Sequence, residues 1–171
     1  MKKIMIILFG AGLISISMTS FSQTILKIGH VDIAEIMAVL PERDSAAAVL
    51  EKETKEIQST YDDMTVVYNK MLDDYEKGQS TYPELVKKNK ESELLDKEKR
   101  LHEFEQNAST TLQKRNSELI QPIINKILKA IDKVAAENGF TYILDVSKGS
   151  VVYSSKDSQN INQLVLKVLK P

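Results

Sequence analysis

The chain has 171 residues, 23 of them basic and 24 acidic, with a net charge of −1, no cysteine and no tryptophan. The near balance of charge leaves no basic footprint for nucleic acid, and the lack of cysteine excludes disulfides and a lipid-modified N-terminal cysteine. No P-loop, GxGxxG or HExxH pattern occurs, so nucleotide, dinucleotide and zinc-protease chemistry have no starting point.

Met1 to Ser22 has the build of a secretory signal peptide. Lys2 and Lys3 supply the charge, Ile4 to Ile16 is nearly unbroken apolar sequence, and Ser20-Phe21-Ser22 offers small residues to a peptidase. The apolar run is shorter than the roughly 20 residues of a membrane-spanning helix, and Ser15, Ser17, Thr19 and Ser20 interrupt its end. Cleavage after Ser22 is therefore expected, into the periplasm if the cell has one.

Thr24 to Val31 alternates as a strand does. Asp32 follows as a helix cap, with Glu35 completing a capping box. Ile33, Ile36, Met37 and Leu40 form the apolar stripe of a short helix that ends at Pro41. From there Leu50, Thr54, Ile57, Tyr61, Met64, Tyr68, Met71 and Tyr75 recur in alternating steps of four and three, the seam of a coiled coil. The helix so predicted runs from about Glu42 to Lys77, roughly 54 Å at the α-helical rise. Gly78 is its expected C-cap, Thr81 and Glu84 form a second capping box, and Pro83 opens a helix reaching about Asn138. So short a turn makes antiparallel packing the default.

The ascending helix keeps a different rhythm. Leu101, Leu112, Ile123 and Val134 recur every eleven residues, a period that winds against the heptad, with Phe104, Ala108, Leu119, Ile127 and Ile131 filling the stripe. Pro122 stands inside it, either a hinge where arm meets body or a tolerated bend. The charges mark solvated faces of a rod: ten acids and five bases from Glu42 to Tyr82, then eight of each from Pro83 to Glu118. Asn138-Gly139 ends the helix, and Phe140 to Val146 reads as a buried strand with Val151-Val152-Tyr153 as its hairpin partner. Asp157 or Ser158 would cap a last helix bearing Ile161, Leu164, Val165, Val168 and Leu169 on one face.

The fold class is thus α+β, mostly α. Residues 23–41 and 120–171 build one small discontinuous body, and residues 42–119 project from it as a helical hairpin with its tip near 78–83. So small a body has a meagre core, and strands of several copies are expected to pair into a shared sheet that hides their edges. Ile28, Val31, Tyr142, Ile143, Leu144, Val151 and Val152 are the residues assigned to that oligomerisation.

The parts, taken in order, resemble a known family. A signal peptide, Ile28-Gly29-His30-Val31-Asp32, a helical hairpin, Gly139-Phe140-Thr141-Tyr142-Ile143-Leu144-Asp145 and the tail Asp157-Ser158-Gln159-Asn160-Ile161-Asn162 are together similar to the OmpH/Skp periplasmic chaperones. The resemblance implies a homotrimer shaped like a jellyfish, with three helical tentacles on a β body. It implies that the tentacles enclose unfolded outer-membrane proteins without ATP or any cofactor. Two features depart from the family: His30 stands where an aromatic is more usual, and the mature chain is mildly acidic where the best-known members are strongly basic. For anionic lipid or lipopolysaccharide, Lys97, Lys99 and Arg100 are the only candidate contacts, with ordinary solvated helix surface as the alternative.

A holdase needs many weak apolar contacts with little directional demand. Met64 and Met71 suit this because thioethers adapt to irregular partners, and Tyr61, Tyr68 and Tyr75 add apolar faces with polar tips. The same five sit at seam spacing, so packing between the arms is the competing role for each. Val66, Val67 and Leu72 lie off the seam and are the sharper candidates for client contact. Neither His30 nor His102 belongs to a catalytic or metal-binding constellation, and no enzyme activity is expected. The rival function is an exported coiled-coil spacer that bridges two envelope components through a docking patch at its tips. Replacing Val66, Val67 and Leu72 together with Ser is expected to weaken protection of a denatured outer-membrane barrel protein, with helicity and assembly mass unchanged. Unaltered protection would move the contact to the seam residues or favour the spacer.

Overall fold

The structure, a computed structural model, describes residues 26–170. The proposed signal segment, Thr24 and Ile25 lie outside the described residues. Three short strands, β1 (Ile28–Val31), β2 (Tyr142–Asp145) and β3 (Gln159–Asn160), and four helices, α1 (Ile33–Ala38), α2 (Pro41–Gly78), α3 (Glu84–Asn138) and α4 (Asn162–Leu169), make a mostly helical chain with a small strand body. No described helix is long and apolar enough to cross a membrane.

The body is assembled from both ends of the chain. β1 is the middle strand and pairs in parallel with β2 on one side and β3 on the other. The ladder fits because Gly29 lets the Phe140 ring come close; a Cβ there would lie 2.9 Å from the ring's Cε1. Lys27 Nζ sits 4.3 Å over that ring and donates to the Asn138 carbonyl at 2.7 Å, tying β1 to the end of α3. One face of the sheet is covered by the root of α3, where Ile123, Ile127, Ile131 and Val134 are buried at the expected eleven-residue stripe. Ile36 and Leu40 from the α1 end and Ile161, Val165 and Leu169 from the α4 end pack into the same cluster. Burying such side chains stabilises by about 1.5–3 kcal/mol each, and this cluster is the core of the molecule.

Local chemistry explains most boundaries. Asp32 caps α1, its Oδ1 accepting from the Glu35 N–H at 2.9 Å. Pro41 occupies the first turn of α2, where its missing N–H has no cost. Gly139 ends α3 in the left-handed conformation at φ 66°. α3 runs on through Pro122, which lies on the exposed side of the helix beside buried Ile123.

Several expectations are corrected. Val151-Val152-Tyr153 is not a strand, and Val152 is 97% exposed; the neighbour of β2 is β1, so no hairpin forms. The third strand is Gln159–Asn160, which displaces the last helix's start from Asp157 or Ser158 to Asn162. Gly78 does not cap α2 with a positive φ but lies within its last turn, where a Cβ would meet the Tyr82 ring at 2.2 Å. Thr81 and Glu84 form no capping box: Thr81 Oγ1 donates to the Gly78 carbonyl at 2.9 Å, and Pro83 is the N-cap of α3.

One clamp joins the two ends of the body. The buried Asn162 accepts from the Asp32 N–H at 2.9 Å through Oδ1 and donates to Glu35 Oε2 at 2.6 Å through Nδ2. Asn162 thus takes the Asp32 N–H that a capping box would give to Glu35, so only the Asp32 half of the expected box forms. Asn162→Ala would leave a backbone donor and a carboxylate short of a partner, a cost of about 1–3 kcal/mol. The expected outcome is a lower urea midpoint with the slope unchanged; an unshifted midpoint would show that water replaces the clamp.

Candidate functional site

The arms, α2 and α3, have one contact face each, and the burial pattern shows it. No residue of α2 beyond Ala46 is buried, and none of α3 before Ile123. The seam is half-buried throughout: Leu50, Glu53, Ile57, Tyr61, Met64, Tyr68, Met71 and Tyr75 on α2, with Leu94, Leu101, Phe104, Ala108, Leu112 and Leu119 on α3. Tyr61, Met64, Tyr68, Met71 and Tyr75 therefore lie where the heptad spacing puts them, between the arms. Tyr61 stacks on Phe104 with ring centroids 6.5 Å apart at 24°.

Thr54 is corrected. It faces solvent and returns its hydroxyl to the Leu50 carbonyl at 2.8 Å, while Glu53 takes the seam position. Glu53 belongs there because Arg115 meets it from α3, Nε lying 2.9 Å from Oε1. That hydrogen bond, with the carboxylate's charge, raises the guanidinium's pKa further above its ordinary value. Nearer the body Lys126 holds Glu42, and its hydrogen bond lowers the carboxyl's pKa. These two residues flank a shallow groove at the root of the hairpin, floored by Ala46, Val49, Leu119 and Ile123, with Pro122 on its rim.

Apolar side chains also stand outside the seam. Val66 is 67% exposed and Val67 48%, as their off-seam positions predict. Leu72 is corrected to half-buried beside Met71. Leu85 and Leu95, at 72% and 66% exposure, were not singled out from the sequence, although the same seam phase on α3 places both off its stripe. Lys97 is half-buried at a seam position, whereas Lys99 and Arg100 are exposed and pair along their own helix with Glu103 and Asp96. His102 is exposed and bonds Gln106 one turn on, while His30 lies on β1, far from it in the fold. No cluster of metal-binding side chains occurs among the described residues.

The second surface is on the body. Register pairs Ile28 with Tyr142 and His30 with Leu144, and Ile28, Tyr142 and Leu144 are exposed. Their chain neighbours point the other way: Gly29 and Val31 are buried, and Ile143 packs against the core. Val31 and Ile143 therefore serve their own chain, and Val151 is half-buried in a connection. Parallel sheets are normally covered on both faces; here, among the described residues, one face is bare and apolar.

A sequence model described as outer membrane protein (OmpH-like) matches residues 27–169. The chain belongs to the OmpH-like family. Two proteins named chaperone protein Skp, from Photorhabdus luminescens and Photorhabdus laumondii, are each 28% identical over 157 residues, spanning 92% of this chain and 93% of theirs. A solved structure of a candidate outer membrane chaperone (OmpH-like) from Caulobacter crescentus CB15 shares the fold. Its TM-score is 0.70 at 10% identity, covering 84% of this chain and 83% of that one. The OmpH-like chain is a chaperone of this class and not an enzyme.

The arm seam makes a prediction of its own. Tyr75 Oη donates to Glu91 on the opposite helix, and that hydrogen bond to a carboxylate pushes the phenol's pKa from 10.0 up to about 12. A folded-state pKa raised above the unfolded one contributes stability below pH 10 that is lost as pH climbs to about 12. The stability difference between the parent and Tyr75→Phe should accordingly hold steady up to pH 10 and decline above it. A difference that stays flat across that window would show that the bond is not made in solution.

Proposed function

We propose that this chain is an ATP-independent periplasmic holdase that keeps unfolded outer-membrane β-barrel proteins from aggregating and releases them for membrane insertion. The observation that carries the reading is the pair of arms with no buried residue between Ala46 and Ile123. Elements that bury so little of their own surface serve as contact surface for something else. Unfolded barrel proteins are suitable clients because their strands expose alternating apolar side chains through which they aggregate. Val66, Val67, Leu85 and Leu95 offer scattered apolar contacts along the arms.

The bare face of Ile28, Tyr142 and Leu144 is proposed to be covered by other copies, giving the homotrimer that the family resemblance implies. Three arm pairs then act on one client together, and avidity follows from effective concentration even where each contact is weak. Release needs no nucleotide: the client's apolar surface disappears as it folds into the membrane. Pro122, at the root of the arms, is the proposed hinge. Export by the Met1–Ser22 segment would place the protein in the periplasm. Lys99 and Arg100, the exposed candidates for lipid or lipopolysaccharide contact, are already paired to acids of their own helix.

Light scattering tests this directly. A urea-denatured outer-membrane barrel protein is diluted into buffer with or without the purified chain from residue 23, and without nucleotide. Suppressed aggregation at near one assembly per client is the expected result. No suppression by a helical, assembled chain would reject the holdase and leave the envelope spacer.

A further inference from the structure

The hairpin changes character beyond the stacked rings of Tyr61 and Phe104. On α2 the seam continues as Met64, Tyr68, Met71 and Tyr75, but on α3 it is interrupted by lysines: Lys87, Lys90 and Lys97 are half-buried at stripe positions. An ammonium is not left unpaired in an apolar seam. Each stem lies along the seam while the charged head reaches toward water, and Lys90 comes within 5.4 Å of the Tyr82 ring. Seam positions that elsewhere hold Leu, Ala or Phe thus hold chains that cannot close it.

The polar links follow the same gradient. Near the body the arms are joined by the Glu53–Arg115 and Glu42–Lys126 ion pairs and by buried Ala46 and Ile123. Between Tyr61 and the turn, the cross-arm side-chain hydrogen bond among the described residues is Tyr75 to Glu91. Segments with few buried contacts open locally at a small fraction of the global unfolding cost. The hairpin is therefore a zipper fastened at its root and loose toward its tip.

We propose that the distal half of the hairpin opens, and that the seam it uncovers is the main surface that holds an extended unfolded chain. The proposal rests on the holdase reading and deepens it. Met64, Tyr68, Met71 and Tyr75 then have both roles, closing on α3 when the arm is empty and lying against the client when it is full. Thioethers and phenol rings tolerate either partner. Reclosure of the seam competes with the client for the same side chains, which gives a weak hold and release without nucleotide. The exposed valines and leucines outside the seam make first contacts; the seam supplies the larger surface.

A seam made fully apolar separates this from a rigid hairpin. Lys90→Leu with Lys97→Leu should close the distal seam, and Lys88→Leu with Lys99→Leu makes the same change at exposed positions. Hydrogen exchange of the distal amides is expected to slow about tenfold in the seam variant and to stay within about twofold in the outer one. Client protection should fall about threefold or more in the seam variant, while the outer variant protects as well as the parent or better. A seam variant that protects the client as well as its parent, or whose distal amides exchange at the parental rate, overturns the proposal. A parent that protects no client rejects the holdase reading instead, and the exchange rates then decide alone whether the hairpin opens.

Discussion

A two-helix hairpin cannot surround any of its side chains, and the rest of this structure follows from that constraint. Each arm has a single neighbour, so the seam residues from Leu50 to Tyr75 are covered on one side and wet on the other. The hydrophobic term available per residue is therefore smaller than in a globular core. What fixes the arms in place is their root, where α3 passes from Leu119 into the buried run Ile123, Ile127, Ile131 and Val134. The body is an anchor for the arms as much as a domain of its own. α3 is one helix from the tip to the sheet, so the same element serves both arm and body.

The body has its own deficit. Three parallel strands, one of two residues, receive helices on one face only. Within the chain, the Asn162 clamp and the Lys27–Asn138 bond compensate by tying the distant termini of the fold together. The bare face of Ile28, Tyr142 and Leu144 is not covered by any of the described residues, and assembly is the proposed remedy. On the proposed account, arms that bury too little and a sheet that covers too little are two parts of one design, in which copies of the chain would complete the body and the client would complete the arms.

Many local signals were legible in the sequence, although the caps read at Gly78, at Thr81 with Glu84 and at Asp157 or Ser158 were not formed. The Asp32 cap, the Gly139 terminus, the heptad from Ile57 to Tyr75 and the eleven-residue stripe of α3 all stand where pattern put them. The larger failures were non-local. Val151-Val152-Tyr153 has strong β propensity, but the place beside β2 is taken by β1 from the other end of the chain. Gln159–Asn160 is too short and too polar to announce a strand, and it forms because β1 offers it a free edge. The seam position that heptad spacing assigns to Thr54 is taken by Glu53, whose place depends on Arg115 from the opposite helix, a partner 62 residues away. The contact surface was half legible: Val66 and Val67 followed from phase on α2, while Leu85 and Leu95 required the same reasoning on α3.

The bare sheet face decides whether arms of this kind ever act together, so the most direct measurement is the mass of the assembly. Sedimentation equilibrium of the chain from residue 23 should be compared with that of Leu144→Glu, which places a charge on that face. The expected result is a three-chain mass for the parent that collapses to a single-chain mass in the variant, with helical circular dichroism retained. Equal masses for the two proteins would contradict the claim that this face joins the copies, and a single-chain parent would remove the shared body altogether.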